Sequence, residues 1–435
     1  MSRAVRRPAD PLAGLSELDA AAVVRCVRAL LRQPWLRESS PDGAILPLVH
    51  RHRVVLGEIF GSLLGYRLVV RRGWARLYKT GRGDDASRGE PAFSPRTYAF
   101  LAVTIAVLEG GGRQTLLSRL VQDVHAAAVE AGLAVADDAA DRAALSAALR
   151  HLLRLGAITE TEGTVNSVLG EQGAEALITV DRDLIAELMI GPVSDVDSPA
   201  ALLVAAGDPG VAGAERAVRR ELIENPAVFF ADLPDDGADW LRSNRRAEAR
   251  SLETVFGLLT ESRQEGIAVT DPEERLTDIA FPGQSTLARL AMLAIPDLLD
   301  VEFAEADEEF DDAEDDDGIA DDGEDDHDGT PDGRVAVSAQ RLREVCRTLV
   351  EDHAGTWSAQ ETADLGRLTA NVAELLVMMR VAGRDEAGTF WLNPVAHRYV
   401  VTAEGAGAGF SEPASVPERT ASLFGIGNTT GEDRS

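Results

Sequence analysis

The sequence lacks the short motifs that mark the most common nucleotide-binding and hydrolytic sites. It has no GxxxxGKS/T loop, no GxGxxG at the start of a helix, no HExxH and no GxSxG. His50 and His52 are two residues apart and would diverge on a helix, so they do not indicate a metal site. The acids of residues 302–332 miss the register of a calcium-binding EF-hand loop. We therefore expect no enzyme activity, no cofactor and no bound metal.

Cysteine and long apolar runs are also scarce. The two cysteines, Cys26 and Cys346, lie in separate helical patterns, and their spacing fits neither a metal knuckle nor a redox pair. We expect both to be buried or idle thiols in a reducing compartment. No apolar run approaches the roughly 20 residues that span a bilayer, and the basic start of the chain lacks the apolar core of a secretory signal. These features predict a cytoplasmic protein without membrane contact.

The net charge of −30 is distributed unevenly along the chain. Residues 1–100 carry 17 Lys and Arg against 9 Asp and Glu, whereas residues 302–332 carry 18 acids and no Lys or Arg. Lys79 is the sole lysine, a bias typical of GC-rich genomes, so abundant arginine is weak evidence for nucleic-acid binding. The asymmetry between the two ends is better evidence for a DNA-facing surface near the start of the chain.

The most informative segment is 66–79, YRLVVRRGWARLYK, which predicts two strands joined by a turn at Arg72-Gly73. Side chains alternate across a sheet, so one face of this hairpin is apolar and the other interleaves cations with aromatics. A helical pattern over 48–64 precedes it, and a helix followed by a basic hairpin is how a winged helix ends, a fold that commonly meets DNA. An equally weighted alternative is a solvated face on which arginine stems cover the aromatic rings. The predicted DNA contacts on the hairpin are Arg67, Arg71, Arg72, Trp74, Arg76 and Lys79.

The rest of the chain repeats this pattern of helices followed by a hairpin, without a strict sequence period. It predicts a mainly α fold with small β-hairpins (α+β), arranged as tandem winged-helix domains. The predicted segments are a flexible N-terminus (1–17), a first unit with the basic hairpin (18–82), a second unit (92–210), a third unit with an acidic wing (211–300), a disordered acidic insertion (301–334), a C-terminal unit (335–402) and a flexible tail (403–435).

Two of these units carry further functional expectations. In the second unit, Arg142, Arg150 and Arg154 fall on one side of a predicted helix over 141–155 and could touch phosphate, although such a row is more often a solvated face. In the third unit, two predicted strands, 267–270 and 276–281, flank the acidic tip 271–274. An acidic tip repels a phosphate backbone, so this unit is expected to bind protein or to be purely architectural.

The segment LLGYRLVVRRGWARLYK, followed after a linker by SPRTYAFLAVTIAVLE, resembles the MukE-like subunits of type II Wadjet systems, which are bacterial plasmid-defence complexes built on an SMC ATPase. The matching parts are 64–66, the strand 75–79 and the helix from Tyr98, within a likeness over roughly residues 20–400. The resemblance implies a non-catalytic tandem winged-helix (kite) subunit that forms a homodimer and docks on a kleisin, which bridges the SMC ATPase heads. The complex would extrude double-stranded plasmid DNA for cleavage by a separate toprim-type nuclease. The resemblance identifies no kleisin-contacting residue, and the acidic insertion is not expected of the family.

Two other functions remain open at this point. A winged-helix transcription regulator would need a recognition helix that reads base edges, but the arginines of helix 141–155 have no Asn or Gln companions. An accessory component of another DNA-processing nuclease system would need a clustered acidic metal site in a folded region, whereas most acids lie in the predicted insertion. Neighbouring genes for an SMC-like ATPase, a kleisin and a toprim-type protein would separate these alternatives.

Overall fold

The computed structural model describes residues 11–80, 89–90, 93–136, 138–163, 175–189, 196–210, 213–277, 279, 281–310, 333–353, 357, 362–385 and 387–400, with the backbone alone for 300–310. The protein is mainly α-helical, with small antiparallel three-stranded sheets, as predicted. The predicted tail over 403–435 lies outside the described residues. Within the predicted flexible N-terminus, Leu12 and Leu15 pack against the first hydrophobic core, so the ordered chain begins earlier than expected.

The first unit contains α1 (Glu17–Arg32), β1 (Trp35–Arg37), α2 (Leu46–Arg51), α3 (Arg53–Ile59), β2 (Arg67–Arg71) and β3 (Trp74–Tyr78). Ser16 caps α1, accepting a hydrogen bond from the backbone N–H of Asp19. The single helix predicted over 48–64 is divided at His52, which ends α2 and precedes α3. A π-helical turn, Phe60–Leu64, then leads into the hairpin.

The second unit contains α4 (Pro95–Gly110), β4 (Gln114–Leu116), α5 (Leu117–Glu130), α6 (Ala139–Leu155), β5 (Ile158–Glu162), β6 (Leu177–Val180) and α7 (Arg182–Ala186), and α8 (Pro199–Gly207) follows it. The sequence predicts a helix start at Ser94-Pro95 and a helix end at Gly156, and both are confirmed: Ser94 caps α4 with proline in its first turn, and Gly156 ends α6 in the left-handed conformation. The sequence also predicts a helix over 114–131, but α5 begins three residues later, because residues 114–116 pair with β6 as a strand.

The third unit contains α9 (Gly213–Glu224), β7 (Ala227–Phe229), α10 (Asp235–Ser251), β8 (Leu259–Ser262) and β9 (Gly266–Thr270). A second π-helical turn, Leu252–Phe256, follows α10. The sequence pattern predicts one long helix over 240–264, and this prediction was wrong at its end, where 259–262 form a strand. The predicted acidic wing was also wrong. The hairpin turn lies at 263–265, and the segment 271–274 follows the sheet instead of tipping it.

The fourth unit contains α11 (Thr286–Phe310), β10 (Val335–Val337), α12 (Ala339–Asp352), α13 (Leu365–Met378), β11 (Ala382–Arg384) and β12 (Phe390–Leu392), followed by a 3₁₀ helix, Pro394–Tyr399. The sequence placed the start of α11 in the third unit, but Leu290, Ile295 and Leu298 pack in the core of the fourth. The helix also continues through the first ten residues of the predicted acidic insertion, whose remainder, 311–332, lies outside the described residues.

All four sheets have the same strand order. In each, the second strand of the hairpin lies in the centre, between the hairpin's first strand and a strand contributed earlier in the unit: β1-β3-β2, β4-β6-β5, β7-β9-β8 and β10-β12-β11. Every pairing is antiparallel. The four units are thus repetitions of one topology, in which a helix, a strand and one or more helices precede a hairpin.

The hydrophobic cores do not follow the order of the units along the chain. One core is shared by the first and third units and joins residues such as Leu30 and Phe60 to Leu222 and Phe256. The second unit has a core of its own, to which the first hairpin contributes Val69, Trp74 and Tyr78. The fourth unit has a separate core.

The first and third units are equivalent residue by residue, at a constant separation of 192 positions. β1 begins at Trp35 and β7 at Ala227, the π-helical turns end at Leu64 and Phe256, and β3 and β9 begin at 74 and 266. No insertion or deletion separates the two copies over these elements. The sequence analysis missed this relationship, because the equivalence lies in structure and burial more than in identity.

The two copies contact each other reciprocally. The guanidinium of Arg28 donates to the carbonyl oxygens of Phe256, at 3.0 Å, and Gly257, at 3.2 Å. At the equivalent position, Arg220 donates to the carbonyl oxygen of Leu64 at 2.6 Å. Each unit thus donates a side-chain hydrogen bond to backbone carbonyl groups that have no intrahelical partner at the end of the other unit's helix. Contacts exchanged in this way between equivalent surfaces define an isologous, two-fold arrangement, here formed within one chain.

Glycine is needed at the end of each π-helical turn for two reasons. Gly65 and Gly257 have φ values of 66° and 67°, in the left-handed region. A Cβ at Gly65 would lie 2.9 Å from Nη2 of Arg220, and a Cβ at Gly257 would lie 3.0 Å from Nη1 of Arg28. The reciprocal contact therefore depends on the small residue that also ends the helix.

Candidate nucleic-acid interface

The first hairpin forms with the predicted strands and turn. β2 and β3 pair antiparallel from Arg67 opposite Tyr78 to Arg71 opposite Trp74, which leaves Arg72 and Gly73 as the two-residue turn. Its apolar face packs as predicted, with Ala75 and Leu77 buried in the core shared with the third unit. This face anchors the hairpin to the core.

The opposite face, predicted to meet DNA, is partly covered by the second unit, whereas Arg67 and Arg71 on this face remain exposed. Trp74 is buried and stacks on Trp35, with ring centroids 5.5 Å apart and planes 6° from parallel. The indole N–H of Trp35 donates to the carbonyl oxygen of Leu155, at the end of α6. Trp74 therefore fills an interface within the chain, and we remove it from the DNA-contact set.

Arg76 also lies inside this interface. Its guanidinium lies 4.3 Å from the ring centre of Tyr78 and 5.1 Å from that of Trp35, and it donates to the carbonyl oxygen of Leu188 at 3.3 Å. Burial lowers the pKa of Arg76. Because its side chain is enclosed by protein, the prediction that Arg76 contacts DNA is corrected.

Tyr78 and Arg67 join the hairpin to the segment after α7. The Tyr78 hydroxyl donates to the backbone carbonyl of Glu187 at 2.9 Å and to its carboxylate. Burial, together with the hydrogen bond to Glu187, raises the pKa of Tyr78 to about 12. Arg67 lies over the Tyr78 ring at 3.9 Å and pairs with the Glu187 carboxylate at 3.1 Å, yet its side chain remains 60% exposed. Arg67 therefore forms an ion pair within the chain, while most of its side chain remains accessible to a partner.

Lys79 points toward the third unit. Its ammonium lies 2.8 Å from the carboxylate of Glu224 and donates to the carbonyl oxygen of Leu31 at 3.2 Å. It thus supports the pairing of the first and third units, a role that the sequence analysis did not foresee.

The remaining predicted contacts lie at the surface. Arg71 and Arg72 are exposed at the hairpin tip, where no ion pair to them is present within the described ranges. On α6, all three predicted arginines are exposed, and Arg154 pairs with Glu90 at 3.3 Å. The surviving DNA-contact candidates are Arg67, Arg71, Arg72, Arg142, Arg150 and Arg154, and their contact with DNA stays a prediction.

A second basic surface, which was not predicted from the sequence, lies on α10. Four arginines in nine residues are exposed there: Arg242, Arg245, Arg246 and Arg250. Arg242 pairs with Asp239 at 3.4 Å and lies over the ring of Phe230 at 4.7 Å. The helical spacing of these arginines is visible in the sequence. They were not predicted to contact DNA because the third unit was expected to carry an acidic wing, and that expectation was wrong.

The described part of the chain holds no group of three or more His, Cys, Asp and Glu side chains arranged to bind a metal. Cys26 and Cys346 are both buried, and burial raises their pKa values to about 12 and about 11. No helix among the described residues is long and apolar enough to cross a bilayer.

The family of the chain follows from a match that covers most of its length. A family model described as Protein of unknown function (DUF2398) matches residues 27–402. The chain belongs to the DUF2398 family. This match begins within α1 and extends through the fourth unit, so the strands of all four sheets lie inside the matched region. No curated protein and no solved structure matches the chain.

Proposed function

We propose that this DUF2398 protein is a non-catalytic, MukE-like kite subunit of a bacterial SMC complex of the type II Wadjet class. The observation that carries the proposal is the fourfold repetition of one helix–strand–helix–hairpin topology, with two of the copies paired isologously. We take these units to be winged helices, the fold that the resemblance implies for a kite subunit.

In the proposed complex, the chain binds a kleisin-like subunit and reaches the SMC ATPase through it. Double-stranded DNA lies against the exposed arginines of the folded units, and a toprim-type nuclease subunit of the same system cuts the extruded plasmid. The proposed location is the cytoplasm, in association with plasmid and nucleoid DNA. Arginine side chains without Asn or Gln companions favour contact with phosphates over reading of base edges.

The two-fold pairing inside one chain bears on the homodimer expected from the resemblance. The first and third units already cover their equivalent faces with each other, through one shared core. We therefore propose that one chain supplies both members of the pair of units that a homodimer would form from two chains. The alternative outcome is a homodimer that forms through another surface.

Gene neighbourhood and binding assays test the proposal together. We expect genes for an SMC-like ATPase, a kleisin-like protein and a toprim-like protein beside the gene for this chain. The purified protein should bind unrelated DNA duplexes with similar affinity and should neither hydrolyse ATP nor nick DNA. Strong preference for one duplex would favour the transcription regulator, and metal-dependent nicking that a point substitution abolishes would overturn the non-catalytic assignment.

A further inference from the structure

The arginine row on α10, formed by Arg242, Arg245, Arg246 and Arg250, is the most concentrated exposed basic surface on a described helix. We propose that this row is a binding surface for the sugar–phosphate backbone of double-stranded DNA. The inference rests on the proposed function only in taking DNA as the partner. It places a principal contact on the third unit, which the sequence had assigned to protein binding.

Three of the four arginines in the row have no acidic partner among the described residues, and the fourth, Arg242, pairs with Asp239. The protein carries 73 Asp and Glu against 43 Lys and Arg. Even so, no acid within the described residues forms an ion pair with Arg245, Arg246 or Arg250. The acid within this stretch of α10, Glu248, is buried and engaged by Arg219 through two hydrogen bonds of 2.7 and 2.9 Å. The second half of α10 therefore carries three exposed arginines that no acid among the described residues pairs with.

The geometry of the row suits a chain of phosphates. Arg242, Arg246 and Arg250 are spaced four residues apart, so they lie on one side of the helix, about 6 Å from one to the next along its axis. Arg245 lies three residues after Arg242, next to the same stripe. Arginine presents a planar fork of donors that matches phosphate oxygens.

The composition of the same face argues against a protein partner. The other exposed residues between 242 and 250 are Ser243 and Ala247, and no large apolar or aromatic side chain is exposed there. Protein interfaces depend on a few buried aromatic or aliphatic anchors. A face made of arginines and small residues lacks such anchors, whereas binding to a DNA backbone does not require them.

Because the first and third units are equivalent, the arginine row on α10 can be compared with the matching segment of the first unit. Arg242 and Arg245 correspond to His50 and Arg53, on the α2–α3 segment, at the common separation of 192 residues. Arg250 corresponds to Glu58, which is acidic. The basic surface is therefore stronger on the third unit, and the α2–α3 segment provides a weaker counterpart.

The test compares two triple variants of the full chain. R245Q/R246Q/R250Q removes three charges from the row and keeps a good helix former at each position. R343Q/R347Q/R367Q is the control and removes three exposed arginines from α12 and α13 of the fourth unit. Binding is measured by fluorescence anisotropy with two unrelated duplexes of about 30 bp, between about 50 and 200 mM KCl. Circular dichroism confirms that both variants fold.

The expected result is a loss of affinity of at least about tenfold for the α10 variant alone, with the slope of log K against log salt shallower by about 2.7, or about 0.9 for each phosphate contact. Equal loss in both variants, or none in either, overturns the inference while leaving the proposed DNA binding of the chain intact. Failure of the unsubstituted protein to bind DNA would instead count against the proposed function. Capture of poly-glutamate in preference to DNA, abolished in the α10 variant, would overturn DNA as the partner of this row.

Discussion

Arg28 and Arg220 lie at equivalent positions 192 residues apart, and each donates hydrogen bonds to backbone carbonyls at the end of the other unit's helix. Their environments are not identical. Arg28 also pairs with the Asp271 carboxylate at 2.6 Å, whereas Arg220 lies over the ring of Tyr66 at 5.0 Å. These two arginines fix the relative position of the first and third units.

Replacing Arg28 should weaken the pairing of these units strongly. R28M removes the bonds to Phe256 and Gly257 and leaves Asp271 buried without its cation. We expect the free energy of unfolding to fall by about 3 kcal/mol, the range seen when one partner of a buried ion pair is lost. Denaturant titration measures the loss, with R343M as an exposed control that should change little. A loss in R28M no larger than in the control would contradict the structural role.

The pKa of Asp271 makes this contact depend on pH. Burial acts to raise that pKa, but hydrogen bonds from Arg28 and from the backbone N–H groups of Leu276, Glu273 and Arg275 outweigh it, so the pKa is lowered. A carboxyl with a lowered pKa stabilises the folded state above its ordinary pKa of about 3.9, and the contribution disappears as pH falls through the folded value. D271N should therefore be less stable than the natural protein at pH 7. The difference should shrink as pH falls from about 4 through the lowered folded value, and a difference that does not decline on acidification would contradict this assignment.

The hairpin tip and the hairpin face should respond differently to substitution. R71Q/R72Q changes two exposed side chains, so the fold should be retained and the log–log salt slope of DNA binding should become shallower by about 1.8. R76Q removes a buried guanidinium between two aromatic rings and should lower thermal stability instead. An R71Q/R72Q variant that binds DNA with an unchanged slope would remove the tip from the interface.

If the paired first and third units replace a homodimer, the protein should be a monomer in solution. Multi-angle light scattering on the purified protein should give the mass of one chain, 46.4 kDa. Twice that mass at micromolar concentration would support the homodimer implied by the resemblance. Repeating the measurement on R28M asks whether the internal pairing is what keeps the chain single, since a freed face could recruit a second copy.

Local signals in the sequence predicted the elements that local chemistry determines. The hairpin turn at Arg72-Gly73, the Ser94 cap and the glycine at 156 follow from backbone preferences that a few residues express. The end of α10 could not be predicted in this way. Residues 259–262 continue an acceptable helical pattern, and only pairing with β9 makes them a strand.

Long-range contacts account for the errors in the candidate site. A face that alternates Arg with Trp and Tyr is suited both to DNA and to a second protein unit, because the rings need cover in either case. The sequence could not show that Trp35 covers Trp74, or that the segment after α7 covers Arg76 and Tyr78. Likewise, Asp271 resembles a solvent-exposed wing acid until Arg28, 243 residues away, is placed beside it.

The measurement that tests the central claim most directly is affinity purification of the tagged chain from cells that express its whole operon. We expect a kleisin-like protein to co-elute in a salt-resistant complex, together with an SMC-like ATPase that is lost when the kleisin gene is deleted. Elution of the chain alone, with both other gene products present in the lysate, would contradict the assignment as a kite subunit.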